Sequence, residues 1–447
     1  MRTIRMLEDY PALSGIFDLF AEDEMSVFLD SSLQNELGQY SIVGVFPYLT
    51  LKNGDKFTVN GEECGQSFEA YVKEYLENHR DENDTGLPIV SGAVGYFSYD
   101  YGREKEGVES CHKEKVDIPA CILCFYDVFL VESHKENRLY LIANGKTKDS
   151  GEMLDEILKR IREVSDEEEE AAACEIQTES DFEESEYLKA VDDVIDYITE
   201  GDIYIMNMTR QLAVRSRRSP YQVFRALRRN NPSPFGGYFQ YGDFQVVCAS
   251  PERFLQMRGG HVVTRPIKGT RKRGENPQED ARLRKELWES EKDRSELLMI
   301  VDLERNDLNR VCVPGSVKVT ELFQIEEYAT VFHLSANVEG ELAPGKNVMD
   351  LIEAAFPGGS ITGAPKLRAM EIIDELEHGR RNLYTGSMGY LTLDGECDFN
   401  IVIRTALYQD GVYHLGVGGG ITCESERGFE YEETQQKAKA VLEAMQG

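Results

Sequence analysis

Two spacings of apolar residues divide this chain. In the first third, short runs of β-branched and aromatic residues dominate: Ser26-Val-Phe-Leu29, Tyr40-Ser-Ile-Val-Gly-Val-Phe46, Phe57-Thr-Val59, Ala93-Val-Gly-Tyr-Phe97 and Arg138-Leu-Tyr-Leu-Ile142. Turns such as Lys52-Asn-Gly-Asp55 separate them. These runs predict strands. Helical stretches are expected over 67–78 and 153–164. Further on the period lengthens. Over 183–200, Tyr187, Val191, Val194, Ile195 and Ile198 share one helical face, and Gly201 stops the helix. Further helices are expected over 277–299, 366–377 and 429–445. Strands joined by turns and by a few helices predict an α+β fold with large antiparallel sheets.

The stretch 163–186 contains Asp166-Glu-Glu-Glu-Glu170 and no Lys or Arg. It predicts a solvated linker over 166–182, between an N-terminal region (1–165) and a C-terminal region (183–447). A chain of 447 residues, 41% hydrophobic, can bury a sizeable core. No apolar run is long enough to cross a bilayer, and acidic residues near Met1 stand where a signal peptide needs an apolar stretch. A cytoplasmic protein is expected. The formal net charge of −32 argues against nucleic-acid and membrane partners. An anionic substrate would then need cations or a metal ion gathered at its own site.

Nine cysteines form a scattered set, as in a reducing compartment. Cys121 and Cys124 form a CxxC inside a strand-like run, with Cys111 and His112 nearby across an irregular charged stretch. Zinc would need two more ligands than the CxxC supplies, so buried strand cysteines are expected.

Lys268 sits in Thr264-Arg-Pro-Ile-Lys268-Gly-Thr270-Arg-Lys-Arg-Gly274, where Pro266 and two glycines exclude a regular helix. Arg265, Arg271, Lys272 and Arg273 crowd it in sequence, and neighbouring cations and burial both free a lysine amine as a nucleophile. Read alone, the stretch is equally a solvated basic loop or an anion grip. Elsewhere, Asp293 and Glu296, and Glu430 and Glu433, form i,i+3 pairs on two expected helices. Such pairs could hold a hard cation. With 81 Asp and Glu residues, a wet helix face explains them equally well. Gly418-Gly-Gly420-Ile-Thr422 permits close backbone approach to an anion, and Arg404 after a strand-like run can grip a carboxylate with its planar fork. Gly358-Gly-Ser360-Ile-Thr362-Gly-Ala-Pro365-Lys366 lacks the order of a phosphate loop. His333 lies between Phe332 and Leu334, a setting typical of packed core histidines.

Taken together, the Lys268 run, Phe356-Pro-Gly-Gly-Ser360-Ile-Thr362-Gly-Ala-Pro365-Lys366, Asp398-Phe-Asn-Ile-Val-Ile-Arg404-Thr405 and Gly418-Gly-Gly420-Ile-Thr422 closely resemble the chorismate-utilising enzymes. That family includes the large subunits of anthranilate and aminodeoxychorismate synthases and the isochorismate and salicylate synthases. The resemblance implies both regions folded into one structure, with large antiparallel sheets packed together and flanked by helices, and magnesium held by Glu296 and Glu433, with Glu430 close behind. It implies a chorismate carboxylate bound by Arg404, Tyr384 and the amides near Gly418 and Gly420, with Ser360, Thr362 and Thr270 at the substrate and His333 beside its ring as acid/base or polarising group. Pro266-Ile-Lys268-Gly-Thr270 is similar to the aminodeoxychorismate-forming branch; anthranilate synthases usually carry alanine at Lys268. That branch implies attack by the Lys268 amine, then ammonia delivered by a glutaminase subunit in trans. The other branch, making anthranilate and pyruvate, is the alternative, and a non-catalytic glutaminase-docking subunit a further one.

The chain departs from the family pattern in two places. Ile205 replaces a glutamine of amino-transferring members and a water-activating lysine of isochorismate-forming ones. Phe28-Leu-Asp30-Ser31-Ser32 and Asn231-Pro-Ser-Pro-Phe235-Gly236 resemble a tryptophan-binding segment, but with Gly236 where those relatives carry methionine.

Overall fold

The computed structural model describes residues 1–164, 172–328 and 331–447. Every strand pairing is antiparallel, and the strands fall into two sheets that share two long strands, Tyr40–Asn53 and Cys121–Ser133. Their pairing shifts register between Pro47 and Leu49, where Phe46 has a φ of 58°. The kink sends 40–45 and 128–133 into one sheet and 49–53 and 121–125 into the other.

The first sheet continues from Val27–Asp30 through Phe235–Gln240, Phe244–Ser250 and Thr405–Gln409 to Val412–Ile421 and Ile205–Arg215. The second runs from Gly92–Phe97 through Ser387–Thr392, Cys397–Asn400, Arg253–Arg258 and His261–Arg265 to Val331–Glu341, which also pairs Ile267–Lys272 and Lys318–Glu327. The N-terminal and C-terminal regions therefore interleave in both sheets. Phe239, Val246 and Leu407 of the first sheet meet Val94, Tyr96 and Met388 of the second in one apolar core. Helices cover the outer faces: Pro220–Asn230 and Arg427–Gln446 on the first, Glu291–Asn309 and Val348–Ala355 on the second. Cys121–Ser133 is buried almost throughout because both its faces are covered, which is why its sequence is nearly all apolar.

The structure adjusts several expectations. The expected helix over 277–299 is two, Pro277–Glu289 and Glu291–Asn309. Ser290 divides them, because its hydroxyl accepts the Asp293 N–H and caps the second helix. Of the expected linker, 166–171 lies outside the described residues. Gln177–Ser180 is not free coil but an exposed strand on the edge of Ile205–Arg215, which offers its ladder there. Cys121 and Cys124 are buried in different cores on opposite faces of their strand, as residues three apart must be, so they cannot share a metal. No helix among the described residues is long and apolar enough to cross a membrane.

One buried ion pair ties these parts together. The Arg381 guanidinium donates to both Glu377 carboxylate oxygens (2.9 and 2.6 Å), to the Ile361 carbonyl (2.7 Å) and to the Asn207 carbonyl (2.6 Å), and it lies over the Tyr99 ring. Arg381→Met leaves Glu377 buried without its partner and is expected to cost about 3–5 kcal/mol. Lys73→Met, which removes a partly exposed pair with Asp350 and Glu353, is expected to cost about 1 kcal/mol or less. Thermal melting of the two variants checks the contrast; equal shifts would refute it.

Candidate active site

Lys268 lies on Ile267–Lys272, beside a bulge made by Gly269 at φ 73°, where the register against Val331–Glu341 shifts. A Cβ on Gly269 would meet the Asp293 carboxyl and Leu287 at 2.8 Å, so both backbone angle and space demand glycine. The bulge aims the Lys268 amine at the Ser360 carbonyl, to which it donates at 3.0 Å. From the first sheet, the glycine end of Val412–Ile421 comes opposite. A Cβ on Gly420 would stand 3.4 Å from both the Lys268 amine and a Glu296 carboxylate oxygen, and 3.5 Å from Ile205. One on Gly419 would stand 3.3 Å from Glu430 and 3.7 Å from Glu433. Glycine here lets backbone, lysine and three carboxylates crowd one space.

Two helices supply the carboxylates: Glu296 from Glu291–Asn309, Glu430 and Glu433 from Arg427–Gln446. Three lysines balance them. Lys292 lies 3.1 Å from Glu430 and 3.9 Å from Glu296, Lys437 lies 2.6 Å from Glu433, and the Lys268 charge acts on Glu296 and Glu433. Burial pushes the Glu296 carboxyl up to about 7. Burial also works against Glu433, but Lys437, Lys268 and Lys292 outweigh it and hold that carboxyl below its ordinary value. Asp293 turns away, 3.0 Å from Arg271. The donor set is all oxygen, which suits a hard divalent cation. Among the described residues one oxygen from each of these three carboxylates does not come within 4.8 Å of the other two, so the cluster is wider than a closed ion cage.

The anion-gripping groups are also in place. Asn207 and Thr209 pair with Gly420 and Gly418 but turn their own N–H groups to the Thr362 carbonyl (2.8 Å) and to Glu377 (2.8 Å). Those pairs are thus non-hydrogen-bonded, and the Gly418 and Gly420 amides face away from their partner strand. Lys437 confirms the direction by donating to the Gly418 carbonyl at 2.8 Å. Arg404, with φ 53°, donates to the Lys437 carbonyl at 2.9 Å, and its charge acts on both Tyr384 and His333. The Tyr384 ring packs on Gly416, where a Cβ would clash at 2.2 Å.

Other expectations change. The cations around Lys268 do not crowd its amine. Arg265 pairs with Glu321 and Glu326, Arg271 with Glu286 and Asp293, and Arg273 with Asp280, so each guanidinium is taken up by carboxylates of its own. Thr362 spends its hydroxyl on the Gly358 carbonyl at 2.9 Å and shapes the loop from within. The Ser360 hydroxyl is buried beside Glu252. Thr270 bonds His333 Nδ1 at 2.9 Å. Burial lowers His333 to about 4, so its imidazole is neutral at neutral pH and can polarise but not donate as a cation.

Sequence reading missed Glu252, Lys292 and Lys437. Glu252 follows Pro251 between two strands, is buried, and feels Lys268 and Lys437; burial pushes its carboxyl up. The i,i+4 pairs Lys292–Glu296 and Glu433–Lys437 were readable signals on the expected helices. A cavity of about 310 Å³ lies elsewhere. Asp30, Ser31, Pro234, Gly236, Arg253 and Asn400 are among its lining residues. It takes in the tryptophan-site-like segments and none of the groups above.

The sequence profile of the chorismate binding enzyme family matches residues 29–443. Aminodeoxychorismate synthase component 1 of Bacillus subtilis (strain 168) is 38% identical over 92% of this chain and 90% of its own length. Anthranilate synthase component 1 of Thermus thermophilus is 39% identical over 94% and 92%. The crystal structure of anthranilate synthase component I from Streptococcus pneumoniae TIGR4 superposes with a TM-score of 0.83 at 28% identity, covering 92% of this chain and 93% of that one.

The His333 geometry sets a pH expectation. Its folded-state pKa lies below the ordinary value of about 6.5, so the unfolded chain takes the proton first as pH falls. Stability from this residue is held above about 6.5 and lost between there and about 4. The melting temperature of His333→Gln should therefore fall less than that of the wild type between these values. A parallel fall in both proteins would refute it.

Proposed function

Because the chain belongs to the chorismate-binding enzymes, we propose that it forms 4-amino-4-deoxychorismate from chorismate and ammonia. The observation that carries this reading is the Lys268 amine, held at the Ser360 carbonyl and facing Glu296 across Gly420. In that position it can reach a substrate whose carboxylate lies on the acidic cluster.

In this reading, Arg404, Tyr384 and the outward amides of Gly418 and Gly420 hold the pyruvyl carboxylate. Glu296 and Glu433, with Glu430 beside them, would hold magnesium, which supplies charge neutralisation at the ring carboxylate when bound. The Lys268 nitrogen bonds to C2, both ring double bonds shift, and the C4–oxygen bond breaks. Glu252, whose carboxyl burial pushes up, gives a proton so that the oxygen leaves as water. His333, neutral and oriented by Thr270, lies beside the ring. Ammonia then bonds to C4, both double bonds shift back, the C2–nitrogen bond breaks to return Lys268, and the proton shed by the new C4 ammonium returns to Glu252. Ile205 walls the site with an apolar side chain and has no group to activate water, which counts against isochorismate formation. A glutaminase in trans supplies the ammonia, since the sequence has no Gly-x-Cys-x-Gly nucleophile elbow of its own.

A second reading, formation of anthranilate and pyruvate, is favoured by the equal likeness to anthranilate synthases. Chorismate, magnesium and ammonium incubated with the purified chain separate the two. Liquid chromatography with mass spectrometry should show aminodeoxychorismate without pyruvate, lost in Lys268→Ala. Anthranilate with stoichiometric pyruvate would sink the first reading, and no magnesium-dependent turnover at all would point to a docking subunit. Glu252→Gln should lower kcat by about 10²–10⁴ with KM for chorismate little changed; an unaltered kcat would remove Glu252 from the mechanism.

A further inference from the structure

Apart from the groups described above, a second set of ligand types converges. Cys111 and His112 lie in the irregular segment after the helix Tyr99–Lys105, and Asp374 in the last turn of Lys366–Leu376. Their thiol sulfur, an imidazole nitrogen and a carboxylate oxygen all lie within 4.8 Å of one another, and no other such group occurs among the described residues. The set is held from several sides. The Ser110 hydroxyl donates to one Asp374 carboxylate oxygen at 2.6 Å and the Cys111 N–H to the other at 2.8 Å. His112 Nε2 donates to the Asp374 carbonyl at 2.8 Å, and the Cys111 thiol approaches the same carbonyl at 3.4 Å. Arg380 donates to the His112 carbonyl at 3.1 Å and fixes the backbone behind the ligands.

Three physical arguments make this more than a polar staple. A thiol, an imidazole and a carboxylate are a ligand mixture that zinc-class ions accept and that magnesium and calcium do not favour. The Asp374 oxygens keep lone pairs beyond the bonds they already accept, and those bonds are of the outer kind that orient a metal ligand. The end of a helix presents partial negative charge, which favours a cation over an anion. Cys111 is exposed, so an ion has a path in.

We propose that Cys111, His112 and Asp374 bind one divalent transition-metal ion of the zinc class, in tetrahedral geometry, with water as the fourth ligand. The Cys111 thiol releases its proton to solvent as the sulfur–metal bond forms. The ion then clamps the irregular segment to the helix that leads into Glu377 and Arg381.

The test uses the full-length protein stripped with chelator and titrated with cobalt(II), which reports thiolate coordination through charge-transfer absorption in the near ultraviolet. One equivalent should produce that band. Cys111→Ser should abolish it, and His112→Gln and Asp374→Asn should weaken cobalt affinity by about tenfold or more. Glu296→Gln with Glu433→Gln should leave the band intact, which separates this site from the catalytic carboxylates. Cys111→Ser should keep the wild-type melting temperature in chelator, as a check that it folds. Absence of the band in the wild type, or its survival in Cys111→Ser, would overturn the site and leave only a hydrogen-bonded staple.

Discussion

A single buried guanidinium holds the catalytic half of this protein in register. Arg381 has five donors in a rigid plane, and its bonds reach Glu377, Ile361 and Asn207 from three separate parts of the chain. Ile361 adjoins Ser360, whose carbonyl receives the Lys268 amine. Asn207 lies on the strand that pairs with Gly420. Glu377 also accepts the Thr209 N–H, which frees the neighbouring glycine ladder to turn its amides outward. The rigid plane of this guanidinium fixes the relative placement of those three segments.

Within that frame the candidate site gathers mixed charge. In a protein of net charge −32, three glutamates converge beside the glycine end of one strand. Lys268, Lys292 and Lys437 stand among them, one lysine for each glutamate. The charge of Arg404 lies close enough to feel Glu433. The basic residues flanking Lys268 in sequence are not part of this group. Arg265, Arg271 and Arg273 are each paired with carboxylates of their own.

Much of the architecture is legible along the chain because periodicity is a local property. The strands beginning at Tyr40 and Gly92 and the helices around Tyr187 and Tyr431 occur where apolar spacing places them. The break at Ser290 is local too, and a serine ahead of an acidic first turn was its signal. The catalytic carboxylates are a different case. Glu296, Glu430 and Glu433 look like any wet helical face among so many acids, and only resemblance to a family singled them out. Glu252 carried no period or spacing at all. Its burial beside Ser360 becomes visible only when loops from both sheets meet.

Sequence alone therefore determined the class of fold, because it follows from residue type and from short-range spacing; Lys268 and the acidic cluster became candidates only through resemblance to a family. Tertiary structure decided which cations face Lys268, which hydroxyls are spent on the backbone, that His333 is neutral, and that Cys111 and His112 meet Asp374 rather than Cys121 and Cys124. Each of those outcomes depends on burial or on contact between segments hundreds of residues apart. Desolvation and pairing act through space, and no local pattern along a chain carries them.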